Sequence, residues 1–169
     1  YDASGKRLTI DKLIKRANKN TWLKSLSMEF GRLAQGNIHG VQSTDKIDFI
    51  AYHEVPSHEK VTYAQCVCDH RPLNPETSNV RIVVGGDKLD CDIDAGAPST
   101  NLAGFKMLVN SVISEHKHGA KFMSCDLTDF FLALPMKQPK YMKIKYNIFP
   151  SDIIKKYNLD KLVTKDGLI

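Results

Sequence analysis

The chain has 169 residues, 42% hydrophobic and 25% charged, a balance that excludes a disordered polar tail and suits one globular domain or a piece of a larger protein. No apolar run approaches the roughly 20 residues a membrane helix requires, and no signal-peptide pattern is present. A net charge of +5 permits an anionic partner such as nucleic acid without demanding one.

Residues 1–20 are polar and Lys-rich, with one short helical pattern, Leu13, Ile14 and Ala17 behind Thr9 as cap. Trp22, Leu26, Phe30 and Leu33 recur at helical spacing, with Thr21 to cap that helix and Gly36 to end it. Lys24 and Arg32 read as solvated charges on its outer side. Beyond a loop, Ile47 to Tyr52 alternates weakly as a strand that Pro56 and Ser57 break.

Two strand-like runs follow, Val61 to Cys68 and Val80 to Val84, separated by a stretch rich in turn formers. Together they predict a β-hairpin with a long, basic-entry tip. Arg71 and Arg81 stand on its two arms, either as ordinary exposed arginines or as two guanidinium groups that reach a common anion. Cys66, Cys68 and His70 alternate along one strand face, but no second ligand pair follows at the spacing zinc demands. Four cysteines so irregularly spaced read as reduced thiols of an intracellular protein.

Gly85-Gly86-Asp87 closes the second arm without the spacing of a nucleotide loop. Asp87, Asp90, Asp92 and Asp94 form an acidic patch that lacks the Gly and Glu of a calcium loop. Ser99 or Thr100 then caps a helix whose apolar face is Phe105, Leu108, Val109, Val112 and Ile113, with Gly119 in the loop after it.

Phe122 to Cys125 reads as a strand that delivers Asp126 at its end, with Asp129 and the apolar run Phe130 to Leu134 behind it. A carboxylate held there is either a cap of the following turn or a metal ligand. Pro135 and the preceding apolar run argue against both acids lying on one helix face. Tyr141 to Tyr146 alternates as another strand, and Ser151 to Tyr157 is a short capped helix. The chain starts at Tyr1 without an initiator Met and stops at Ile169 as a further strand begins, which reads as a fragment.

This order of parts resembles the reverse transcriptases of copia-type long-terminal-repeat retrotransposons. Three segments carry the resemblance. Trp22 through Glu29 and Leu33 look like the family's pre-finger segment. Val80-Arg-Ile-Val-Val-Gly-Gly86 looks like its basic second finger strand, and Asp126-Leu-Thr-Asp-Phe-Phe-Leu-Ala-Leu-Pro-Met136 looks like polymerase motif A. The Gly85-Gly86 pair with Asp87 is closer to a divergent algal or protist branch of that group.

The resemblance implies an α+β fold, part of a polymerase right hand: fingers β-hairpin with helices plus the first palm strands. Residues 1–46 would form a helical pre-finger segment, 47–98 the fingers, and 99–169 the start of the palm. It implies RNA-directed DNA polymerisation, with two Mg²⁺ (or Mn²⁺) ions in the complete enzyme and phosphoryl transfer from a dNTP to a primer. Asp126 would be the catalytic carboxylate on the metals, and the Leu127 carbonyl would complete one coordination shell. Backbone N–H groups at Asp129 and Phe130 would face the triphosphate, Phe131 would exclude a 2′-hydroxyl, and Arg81 and Arg71 would clamp the phosphates.

The partners implied are an RNA or DNA template with its primer, and the remaining palm, thumb and RNase H of the same polyprotein. The location implied is a cytoplasmic virus-like particle and the nucleus. Val84-Gly85 departs from the family by lacking a basic residue, and the Tyr-x-Asp-Asp hairpin has no counterpart. A chain with Asp126 alone is therefore expected to be inactive by itself and poorly paired around the strand that carries it. The competing expectation is a non-catalytic nucleic-acid-binding relic that keeps the basic hairpin and uses its acids structurally.

Overall fold

A computed structural model of the chain describes residues 7–73, 76–89, 101–126, 132, 135–136 and 138–169. It is mixed α/β. The described helices are α1 (Ile10–Leu13), α2 (Lys19–Leu33), α3 (Leu102–Ser114) and α4 (Ser151–Tyr157). The strands are β1 (Val61–His70), β2 (Ser78–Val84) and β3 (Tyr141–Lys143), which form a three-stranded sheet in the order β2-β1-β3. The chain divides into two compact units, Tyr1–Leu89 with Leu132–Ile169, and Asp90–Phe131.

In the larger unit, the stripe read from the sequence is the helix face that buries. Leu26 is 0% exposed and Phe30 2%, and both join a core with Val80 of β2 and with Ile148, Phe149, Ile153 and Leu159 around α4. Phe30 stacks on Phe149 with centroids 4.7 Å apart, and Phe49 meets Phe149 edge-on at 5.8 Å. Burial of such rings supplies most of the stabilisation, about 1.5–3 kcal/mol for each large apolar side chain removed from water.

The hairpin forms as its alternation predicts. β1 and β2 pair antiparallel with Cys68 opposite Val80, Val67 opposite Arg81 and Cys66 opposite Ile82. The even-numbered residues turn inward, where Cys68 and Val80 are buried, and the odd-numbered ones face out. β3 joins the other side of β1 in parallel, Val61 opposite Tyr141 through Tyr63 opposite Lys143.

Several expectations require correction. α2 starts at Lys19 with Asn18 at its N-cap position, so Thr21 lies inside the helix; Trp22 N–H already bonds the Asn18 carbonyl at 3.3 Å. The helix ends at Leu33, and Gly36 takes its left-handed conformation (φ 100°) in the loop beyond. Asn101, rather than Ser99 or Thr100, caps α3, its side chain accepting from Gly104 N–H at 2.7 Å. Ser99 and Thr100 themselves lie outside the described residues.

Ile47 to Tyr52 is not a strand. Lys46 and Ile47 N–H groups bond the Leu33 carbonyl, and Ile47 and Phe49 pack on the core without any ladder. Their alternation records burial of one side of an irregular segment. The strand expected from Tyr141 to Tyr146 is shortened to β3, whose ladder with β1 ends at Lys143. Ile144 then exchanges hydrogen bonds with Ile169, at 2.8 and 3.0 Å. The acidic patch at Asp90, Asp92 and Asp94 lies outside the described residues.

In the smaller unit α3 presents apolar side chains without burying them: Phe105 is 48% exposed and Ile113 67%. The following segment, residues 121–126, is irregular and exposed rather than a strand. A strand exists only where a neighbour takes up its N–H and C=O groups, and none of these residues joins the one sheet seen among the described residues. Phe122 instead meets Phe105 edge-on, centroids 6.2 Å apart.

The core geometry makes a stability prediction. Phe30→Ala should lower the unfolding free energy by about 3–5 kcal/mol in urea titration, the usual cost of deleting a fully buried ring. Asn101→Ala should lower α3 helicity at a cost nearer 1 kcal/mol, read as local circular-dichroism loss with the core melting temperature retained.

Candidate functional site

The outer face of the hairpin carries the basic candidates. Arg81 stands opposite Val67 in the register, and Arg71 N–H bonds the Thr77 carbonyl at 2.7 Å. Both arginines therefore belong to the outward set of residues, with the Asp69–Asn79 pair between them. At roughly 3.3 Å per residue their rows are about 13 Å apart along the hairpin.

The two differ electrostatically. Arg71 Nε donates to Asp69 Oδ2 at 3.1 Å, and that bond holds the Asp69 carboxyl below its ordinary range. Arg81 is exposed. The Arg71 charge is thus locally matched by an acid on its own strand, and Arg81 is the better placed of the two to meet an outside anion.

At the other end of the hairpin, Tyr63 lies opposite Gly85, whose N–H bonds the Tyr63 carbonyl at 2.8 Å. A Cβ on Gly85 would come within 2.5–2.8 Å of Tyr63 ring atoms, so the glycine is needed for the close approach of that ring. Tyr63 Oη donates to Asp87 Oδ1 at 2.9 Å, and Lys88 Nζ sits 5.4 Å from the ring centroid. The bond to Asp87 raises the Tyr63 pKa. The Gly85-Gly86-Asp87 turn is therefore an aromatic-and-acid clasp on the hairpin end rather than a phosphate loop.

Cys66 and Cys68 lie on the inward face, as their alternation indicates. Burial pushes the Cys66 thiol up to about 12 and the Cys68 thiol to about 11, which disfavours the thiolate form of both.

The acidic candidate belongs to the smaller unit. Asp126 is the last described residue of the irregular segment after α3 and is exposed. Leu127, Asp129, Phe130 and Phe131 lie outside the described residues, so nothing is assigned to their geometry. A divalent ion such as Mg²⁺ takes hard oxygen donors, and an exposed carboxylate is a suitable one. Among the described residues no group of three His, Cys, Asp or Glu side chains is placed to hold an ion.

Sequence reasoning missed the polar groups that hold the hairpin. Ser25 Oγ of α2 accepts from Val80 N–H at 3.0 Å, and Glu29 Oε1 accepts from Ile82 N–H at 3.3 Å. Arg32, read as a solvated charge, lies 3.4 Å from Glu29 Oε2. The signal was present in the i, i+4 spacing of Ser25 and Glu29 on the inner side of an amphipathic helix.

No described helix is long and apolar enough to cross a membrane. Comparison with protein-family models, with curated proteins and with solved structures finds no match to this chain.

The thiol environments give a direct check. At pH 8, iodoacetamide should modify exposed Cys125 well before Cys66 or Cys68, by roughly 10²-fold or more, given burial and the small thiolate fractions of the latter two. Peptide mapping over time reads the order, and early labelling of Cys66 would contradict the inward face of β1.

Proposed function

We propose that this chain is the fingers and first palm section of an RNA-directed DNA polymerase of the copia type. The observation that carries the reading is the hairpin itself: β2 holds Val80-Arg-Ile-Val-Val84 in a fixed register with Arg81 exposed, and the Asp126-Leu-Thr-Asp-Phe-Phe131 sequence follows α3. A basic hairpin of this kind suits an incoming nucleotide, because a guanidinium group binds phosphate oxygens through paired N–H donors.

In this reading, Arg81 orients the triphosphate and restrains its charge. Arg71 acts second, its guanidinium shared with Asp69. Asp126 offers one carboxylate to the divalent ions, which supply charge neutralisation for in-line phosphoryl transfer. The Leu127 carbonyl adds a ligand, backbone N–H groups at Asp129 and Phe130 meet the phosphates, and the Phe131 ring excludes a 2′-hydroxyl by bulk. The remaining carboxylates come from outside this chain, so the chain alone does not catalyse polymerisation. Template, primer and the rest of the polyprotein are the partners of this reading.

The second reading, a non-catalytic nucleic-acid-binding module, draws on the exposure of Asp126 and the net charge of +5. Steady-state kinetics of the complete polymerase separate the two. Arg81→Ala should raise the dNTP KM by roughly tenfold, the loss of one charge-assisted phosphate contact, with primer–template affinity kept. A change in template affinity alone would assign Arg81 to the nucleic-acid track. Phe131→Ala should raise ribonucleotide incorporation relative to deoxyribonucleotide by roughly 10²-fold or more, as removal of a steric exclusion does. Unchanged sugar selectivity would remove Phe131 from the nucleotide pocket.

A further inference from the structure

In the sheet order, β2 is an edge strand. Gly85 N–H bonds Tyr63 and Arg71 N–H bonds Thr77, so the odd-numbered residues of β2 form the hydrogen-bonded pairs with β1. The N–H groups of Val80 and Ile82 therefore point away from β1, toward α2. An edge left this way exposes a row of unpaired donors, or buries them with their hydrogen bonds unmade if nothing accepts them.

The acceptors come from α2. Ser25 Oγ takes the Val80 N–H and Glu29 Oε1 takes the Ile82 N–H. The match is geometric. Four residues along a helix rise about 6.0 Å, and two residues along a strand advance about 6.6–6.8 Å, so side chains at i and i+4 face successive outward N–H groups. Ser25 is 6% exposed and Glu29 8%, so both bonds are shielded from water. Glu29 keeps its second oxygen for Arg32, 3.4 Å away, which offsets the burial of the carboxylate.

The geometry points to Ser25 and Glu29 as positioning residues: α2 serves as a surrogate neighbouring strand that fixes the register of β2 and hence the outward projection of Arg81. Arg81 lies between the two anchored amides. A slip of β2 by one residue would present the odd-numbered amides to α2 and turn Arg81 toward the core, where Val80 is 2% exposed. Apolar packing alone tolerates sliding along the strand, whereas two point-like acceptors at this spacing do not. The link to Arg81 rests on the reading of that residue given above; the register lock does not.

Amide hydrogen exchange on the 169-residue chain tests the lock, with Leu26 as an internal reference for the core. Glu29→Leu should speed exchange at Ile82 by roughly tenfold or more, since one charge-assisted bond is lost. Glu29→Gln, which retains an acceptor oxygen, should restore protection. Ser25→Ala, the milder change should Glu29→Leu fail to fold, should speed Val80 selectively. Unchanged exchange at Ile82 in Glu29→Leu would overturn the proposal. So would equal acceleration at Leu26 in Ser25→Ala and Glu29→Gln, which would mean general loss of the core.

A titration with inorganic tripolyphosphate, followed at the Arg81 Nε–H resonance, addresses the consequence. The response should weaken in Ser25→Ala relative to the wild-type chain. If the wild-type chain gives no response at Arg81, the phosphate role of Arg81 fails while the exchange result still decides the lock.

Discussion

The larger unit depends on one constraint: helix α2 has to satisfy polar backbone on one side and a helix start on another while burying its apolar stripe. Leu26 and Phe30 fill the core. Between them Ser27, 2% exposed, donates to Asp152 Oδ1 at 2.9 Å, and Asp152 also accepts from the Ile153 N–H at the start of α4. His39 Nε2 lies 3.1 Å from the other oxygen of the same carboxylate. Three buried polar residues of α2 thus make directional contacts where an all-apolar helix would leave donors unmatched. The dispersion and burial of the stripe set the stability; the polar contacts set the orientation of hairpin and α4.

This division of labour explains how much of the fold was legible. Trp22, Leu26 and Phe30 repeat at helical spacing, and β1 and β2 alternate, because one face of each meets the core; such periods survive in the sequence. Ser25 and Glu29 carry only their i, i+4 spacing on the inner side and Ser27 not even that, since a polar residue in a helix reads as solvated until its partner in space is known. Ile47 and Phe49 alternate like a strand because one side of their segment is buried, yet a strand also needs a paired backbone, which side-chain pattern does not encode. The same limit applies to Phe122 to Asp126, whose apolar residues read as a strand although none of them pairs with any of the described residues. Caps were misplaced where several competent residues stand together: Asn18 ahead of Thr21, and Asn101 directly after Ser99 and Thr100.

The candidate site divides along similar lines. Arg81 could be assigned to an outward position from alternation alone, and the register agrees. That Asp69 engages Arg71, and that Gly85 makes room for the Tyr63 ring, required three-dimensional neighbours. The glycine at the end of β2 thereby acquires a physical cause. A side chain at 85 would displace the ring that donates to Asp87. Asp126 remains the acid on which the polymerase reading turns, because a solvent-exposed carboxylate needs no metal to exist, and its role is decided by chemistry rather than by burial.

The most direct measurement of the proposed polymerase role is single-nucleotide primer extension by the full-length protein carrying Asp126→Asn, run beside a primer–template binding titration. If Asp126 holds the metal as proposed, its loss lowers nucleotide addition by roughly 10³-fold or more and leaves primer–template affinity within about twofold. Undiminished extension by the Asp126→Asn enzyme would contradict the account.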